Sequence, residues 1–160
     1  MAKSKPRVYI ETSIVSYLTA RQIADVRLRA NQGITAEWWE TRRPKFDLFV
    51  SEFVIAETSL GDADAANLRL EAIRGIPELE ATQEARLLGD CLMSEGAIPP
   101  WAAIDAYHIA VATVNGMDYL LTWNCTHIAN AAMRASIERV CRKHRYEPPI
   151  ICTPQELMEG

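Results

Sequence analysis

Short β-branched and aromatic runs alternate with helical apolar spacing along the whole chain, and that alternation constrains the fold more than any other feature. Arg7 to Ile10 is the first such run; it ends at Glu11-Thr12-Ser13, which can cap a helix beginning near Ile14. Phe46 to Val50 reads as a second strand, a short one lies near Glu78 to Ala81, Tyr119 to Thr122 is the clearest, and Ile150-Ile151 is the last. Strands this short and apolar, each followed by a helix, predict an α/β fold with a parallel, helix-covered sheet. At 160 residues the chain is expected to form a single domain over 1–160.

Between the strands, Ile23, Val26, Ala30, Ile34, Trp38 and Trp39 recur every three or four positions and predict a helix from Gln22 to about Arg43, which Gly33 can kink and Pro44 ends. One Trp is expected in the core and the other at an interface. Further helices are expected through Val54, Ile55 and Thr58 up to Gly61; after Asp62, with Ala66, Leu70 and Ile73 inward; from Thr82 or Gln83 to Ser94; from Trp101 to Val114 behind Pro99-Pro100; and from Ile128 to His144. Thr153-Pro154 is expected to cap a terminal helical turn.

No apolar run approaches the ~20 residues that span a membrane. Glu11 interrupts the basic start before any signal-peptide core can form, so the chain reads as soluble and cytoplasmic. Cys91, Cys125, Cys141 and Cys152 form no C-x-x-C pair and are expected as buried free thiols. No G-x-G-x-x-G or G-x-x-x-x-G-K-[ST] is present, so a dinucleotide or P-loop site finds no support.

The net charge of −4 hides a strong asymmetry. Residues 1–45 are basic, residues 46–133 carry thirteen acids against Arg69, Arg74 and Arg86, and residues 134–145 are basic again. From Leu87 to Met133 there is no Lys or Arg.

In open parallel sheets ligands bind beyond the carboxyl ends of the strands. Glu11 and Asn124 fall just beyond predicted strands, Glu57 lies on the helix after the second strand, and Asp105 lies in the first turns of the apolar helix WAAIDAYHIAVA. Asp105 has Ile104, Ala106, Ile109 and Ala112 for neighbours, where an uncompensated carboxylate would cost several (~3–5) kcal/mol. With no basic residue nearby, a divalent metal is the economical counter-ion, and a carboxylate-amide oxygen set suits Mg²⁺ or Mn²⁺. Taken singly, Glu11 and Glu57 read equally as solvated acids and Asn124 as a turn residue. His127 can touch a phosphate or orient a ligand, or it can be a packed or capping imidazole; His108 and His144 read as structural or solvated.

These segments, in this order, resemble the PIN domain, a family of metal-dependent nucleases that includes the VapC toxin ribonucleases. VYIETSIVSYL resembles the family's first strand and acid, SEFVIAETSLGDA the helix with the second acid, IDAYHIAVA the helix with the third, DYLLTWNCTHIAN the strand with the fourth ligand, and IICTPQEL the closing strand and Thr-Pro turn. The resemblance implies a PIN-like α/β/α sandwich with a short, mostly parallel central sheet. It implies that Glu11, Glu57, Asp105 and Asn124 are catalytic metal ligands for Mg²⁺ or Mn²⁺, with Thr12, Ser13, Thr122 and His127 in support. Glu11 stands where the usual pattern has Asp, and Asn124 where many members have a fourth Asp.

The activity so implied is RNA phosphodiester hydrolysis by in-line attack, leaving a 5′-phosphate and a 3′-hydroxyl. It carries with it a small antitoxin covering the acidic pocket, a homodimer, and the role of toxin in a type II toxin–antitoxin pair. The basic segments, with Arg42, Arg43, Lys45 and Arg134, can contact the RNA backbone or can be solvated helix faces. The alternative is a PIN-like nucleic-acid or protein binding module with weak or lost catalysis.

Overall fold

The computed structural model describes residues 4–159; the first three residues of the basic start and Gly160 lie outside that range. The strands are β1 (Arg7–Ile10), β2 (Asp47–Ser51), β3 (Glu78–Leu79), β4 (Tyr119–Leu121) and β5 (Ile150–Cys152). They form one sheet in the order β3-β2-β1-β4-β5, and every pairing is parallel. The expected α/β class is therefore present, with a sheet parallel throughout the described residues. β1 is the middle strand: Val8 lies opposite Leu48 on one side and Tyr119 on the other. Val8, Tyr9 and Ile10 are fully buried, as a parallel strand covered on both faces requires.

The helices are α1 (Thr12–Thr19), α2 (Val26–Glu37), α3 (Glu52–Thr58), α4 (Ala63–Ala72), α5 (Gln83–Ser94), α6 (Ala103–Val114) and α7 (Ala131–Lys143). They pack in two groups. One holds α1 with α2 and α4, the other α5 with α6 and α7, and α3 touches members of both. Side-chain caps start five of them: Asp25 accepts from Arg27 N and Leu28 N, Ser51 from Phe53 N, Asp62 from Ala65 N, Thr82 from Ala85 N and Asn130 from Ala132 N.

Several boundaries differ from the sequence expectation. The helix expected from Gln22 starts at Val26, where the Asp25 carboxylate accepts from Arg27 N and Leu28 N. Its expected apolar stripe is buried at only one end: Val26 is 79% exposed and Ala30 is exposed, whereas Trp38 is fully buried. The helix runs through Gly33 unbroken, and its irregularity comes later, as a π-helical turn over Trp38–Arg42 followed by a 3₁₀ turn over Arg43–Lys45. Trp38 is the core tryptophan, its indole N–H donating to Leu157 O at 3.2 Å and its ring stacked on Phe46. The half-buried Trp39 ring is covered by the Arg43 guanidinium at 4.3 Å.

The helix expected from Ile128 begins at Ala131, because Asn124 O first accepts from both Ile128 N and Ala129 N in a tight turn. At the carboxyl end Thr153 and Glu156 exchange capping hydrogen bonds, but the segment is a turn rather than a helix. Cys141 and Cys152 are buried free thiols as expected, Cys91 is half-buried, and Cys125 is exposed because it lies in the loop after β4.

Gly89 marks the closest approach in the second helical group. A Cβ there would meet Tyr107 Cδ1 at 2.3 Å and Cε1 at 2.6 Å, so the glycine leaves room for the edge of the Tyr107 ring against α5. Gly89→Ala should therefore destabilise the protein by about 1–3 kcal/mol in urea unfolding through overpacking, although alanine is the better helix former by about 1 kcal/mol. The thiols give a second test. Burial pushes Cys141 up to about 11 and Cys152 up to about 12. A maleimide at neutral pH should label Cys125 in the native chain, and Cys141 and Cys152 only after unfolding, read by mass spectrometry of digests.

Candidate active site

The polar cluster sits beyond the carboxyl ends of β1, β2 and β4. Parallel pairing continues one residue past β1, with Glu11 N donating to Leu121 O at 3.1 Å, and one residue past β4, with Thr122 N donating to Cys152 O at 3.0 Å. Glu11 and Thr122 are thereby set side by side. Glu11 is the N-cap residue of α1 and is only 4% exposed. Its Oε1 accepts from Thr122 Oγ1 at 2.5 Å and from Ser13 Oγ. The two hydroxyls are held in turn by backbone amides: Trp123 N donates to Ser13 Oγ and Asn124 N to Thr122 Oγ1.

Glu57, on the last turn of α3, is held in the same manner. Its Oε1 accepts from Thr12 Oγ1 at 2.6 Å and from His108 Nε2 at 2.5 Å. A carboxylate only accepts, so His108 Nε2 carries the proton. In a neutral ring Nδ1 then accepts from the Tyr9 hydroxyl at 2.6 Å, and the Tyr9 oxygen accepts from Ser51 Oγ at 2.7 Å. Ser51, Tyr9 and His108 are all fully buried, so a hydrogen-bonded chain runs from the cap of α3 through the core to Glu57. Burial pushes the Glu57 carboxyl up, but the hydrogen bonds from His108 and Thr12, joined by the His108 charge whenever that ring is protonated, outweigh it and hold the pKa below its usual value. Burial, together with the charges of Glu11 and Glu57, drives the Tyr9 phenol well above its usual range despite the Ser51 hydrogen bond.

Asp105, in the first turn of α6, accepts from or pairs with His127 Nδ1 through Oδ2 at 3.0 Å. It is less buried than its sequence neighbours imply, with a side chain 20% exposed, because Ile104 turns outward at 42% exposure. His127 is placed by its own backbone, whose N–H donates to Asn124 Oδ1 at 3.1 Å. Asn124 thus acts as the turn residue of this loop. The expected supporting hydroxyls of Thr12, Ser13 and Thr122 all donate to carboxylates.

The donor chemistry fits a hard divalent cation. Glu11, Glu57 and His108 offer ligand atoms within 4.8 Å of one another. Among the described residues, every hydrogen bond to Glu11 and Glu57 lands on Oε1, which leaves Oε2 of each acid for another partner. Both ring nitrogens of His108 are engaged, so it orients Glu57. From the sequence His108 reads as structural or solvated; its position one helical turn after Asp105, on an adjacent face of α6, is the available signal.

The basic candidates are not gathered here. Arg43 and Lys45 precede β2, at the amino edge of the sheet, as does Arg42, while the acids lie at the carboxyl edge. Arg134, early in α7, reaches back to Ile151 O of β5 at 3.4 Å.

The depressed Glu57 carboxyl has a consequence for stability. Its folded pKa lies below its unfolded value, so ionised Glu57 stabilises the chain above about pH 4.5, and that contribution disappears as the pH falls through the folded pKa. Glu57→Gln should lower stability at pH 7 and flatten its decline between about pH 5 and 3, measured by urea unfolding across that range.

The sequence matches no protein-family model and no curated protein. Solved structures that share its architecture include two toxin–antitoxin proteins. Mycobacterium tuberculosis VapC20, a toxin that cleaves the sarcin-ricin loop, superposes with a TM-score of 0.58 at 16% identity, over 78% of this chain and 95% of that one. Rickettsia felis VapBC2, bound to a DNA fragment from its promoter, superposes with a TM-score of 0.58 at 12% identity, over 92% of this chain and 98% of that one. With its parallel β3-β2-β1-β4-β5 sheet between two helical groups, the chain has the PIN-like fold of the VapC proteins.

Proposed function

We propose that this chain is a metal-dependent endoribonuclease and the toxin of a type II toxin–antitoxin pair. The observation that carries the reading is the pair Glu11 and Glu57 at the carboxyl edge of a PIN-like sheet, each anchored through one oxygen with the other left over. Both structural neighbours support it, one being a sarcin-ricin loop cleaving toxin and the other VapBC2 bound to a DNA fragment from its promoter.

In this reading Glu11, Glu57 and Asp105 hold Mg²⁺ or Mn²⁺, with Asn124 at the rim. When bound, the cation supplies Lewis acidity and neutralises phosphate charge. The chain's own residues do the rest. Ser13 and Thr122 fix the Glu11 carboxylate, while Thr12 and the Tyr9–His108 chain fix that of Glu57, so neither acid must reorganise when phosphate arrives. His127 lies beside Asp105 at the solvent side, 24% exposed, where it can donate to a phosphate oxygen or carry a proton to the leaving group. Arg134, which reaches back to Ile151 O of β5, would meet the RNA backbone. Arg42, Arg43 and Lys45 lie at the other edge and would contact RNA only if it wraps the domain. A small antitoxin and a second copy of the chain complete the proposed assembly.

The deciding experiment is cleavage of a pool of single-stranded and structured RNAs with Mn²⁺, Mg²⁺ or EDTA, comparing the wild type with Asp105→Asn purified alongside. The expected result is metal-dependent cutting that the substitution lowers by at least about a hundredfold. Equal cutting by both proteins, or none, would sink the nuclease assignment. Salt-dependent RNA binding without cutting would put the binding module in its place.

A further inference from the structure

A second group of ligand-type side chains lies away from the acidic site, and nothing in the nuclease reading uses it. Cys91 and Glu95 are one helical turn apart at the end of α5, joined by the backbone bond from Glu95 N to Cys91 O. His144 is the C-cap residue of α7. The Cys91 thiol, a Glu95 carboxylate oxygen and a His144 ring nitrogen all lie within 4.8 Å of one another. Cys91 and His144 also line a cavity of about 220 Å³ with Glu84, Leu87, Leu88 and Tyr146.

We propose that Cys91, Glu95 and His144 bind a thiophilic divalent cation of the Zn²⁺ class and clip α5 to the end of α7. Three arguments support the site. The first is donor chemistry: one thiolate, one imidazole and one carboxylate suit Zn²⁺ and exclude Mg²⁺, which takes oxygen ligands. The second is distance. Tetrahedral zinc at ~2.0–2.3 Å from its ligands holds them roughly 3.3–3.7 Å apart, so donors up to 4.8 Å apart would close by about 1.5 Å at most, while the His144–Glu95 pair at 2.6 Å would open by about 1 Å. The side chains of His144 and Glu95 are 34% and 25% exposed and have room for that adjustment.

The third argument is the field. α5 and α7 both end at this point, and two helix carboxyl termini favour a cation between them. Lys143 and His144 already answer that field: both hydrogen-bond to the Glu95 carboxylate, and they hold its pKa below the usual range. A cation would take over the Glu95–His144 contact while Lys143 keeps the other carboxylate oxygen. The cavity beside Cys91 and His144 leaves the fourth position to water. Binding forms one bond each to sulfur, nitrogen and oxygen, and releases the Cys91 thiol proton together with any proton on the coordinating His144 nitrogen, so affinity falls with acid.

Co²⁺ is the probe, added to the metal-stripped full-length chain, because a cobalt–thiolate bond absorbs in the near ultraviolet and the acidic site holds no thiol. The expected result is a near-ultraviolet band that saturates at one equivalent, is erased by Zn²⁺ and is untouched by Mg²⁺. Zn²⁺ at a hundredfold excess over Kd should also raise Tm by about 5 °C. Cys91→Ser should abolish the band, Cys125→Ser should keep it, and His144→Gln should weaken Co²⁺ binding at least about tenfold. No band with the wild type, a band that survives Cys91→Ser, or one lost with Cys125→Ser overturns the proposal. Circular dichroism checks each variant. Should Cys91→Ser fail to fold, His144→Gln decides: unchanged affinity overturns the site, and a tenfold loss supports it.

Discussion

β1 is the constraint on which the rest of the structure depends. It is four residues long, pairs on both edges, and buries Val8, Tyr9 and Ile10 completely. Because its pairing with β4 runs one residue beyond the strand, the first residue outside the sheet is Glu11, and it emerges against Thr122 with hardly any exposure to water. A carboxyl group so placed needs polar partners, and the hydroxyls of Ser13 and Thr122 supply them. Tyr9, from the same strand, carries the second half of the arrangement, since its hydroxyl supports the histidine that holds Glu57.

The two acids are thus prepared alike from different sources. Glu11 is fixed by hydroxyls from α1 and the residue after β4, Glu57 by a hydroxyl from α1 and an imidazole from α6. Helix α1 contributes to both through adjacent residues, Thr12 and Ser13, which point to opposite partners because successive side chains on a helix lie about a hundred degrees apart. The loop after β4 does the same for Asp105 by way of Asn124 and His127. Each carboxylate keeps an oxygen beyond these contacts, the arrangement expected where a cation, rather than the protein, completes the charge balance.

Much of this was legible in the sequence. The five strands, the parallel sheet and the helix caps at Asp62 and Thr82 follow from local pattern, and Glu11, Glu57, Asp105 and Asn124 could be singled out from their places after strands and within an apolar helix. The misreadings have a common cause. Val26 and Ala30 continue an apolar spacing but stay exposed, so periodicity alone overstated the buried face of α2. The late start of α7 depends on Asn124 O accepting two amides, which periodicity does not register. His108 looked like one more residue of an apolar helix, whereas its partners come from residues 99 and 51 positions away.

Local order was therefore decided by the sequence itself: which segments are strands, where caps begin helices, and which acids lie near strand ends, because those depend on residues a few positions apart. Only the tertiary structure decided which groups meet. The strand order β3-β2-β1-β4-β5 brings Ser13 to Thr122 and Thr12 to Glu57, and it sends Arg43 and Lys45 to the edge away from the acids. Packing of α5 against α7 likewise unites Cys91, Glu95 and His144 across some fifty positions of chain. Such meetings are set by side-chain volume and sheet register acting at long range, quantities that no short stretch of sequence contains.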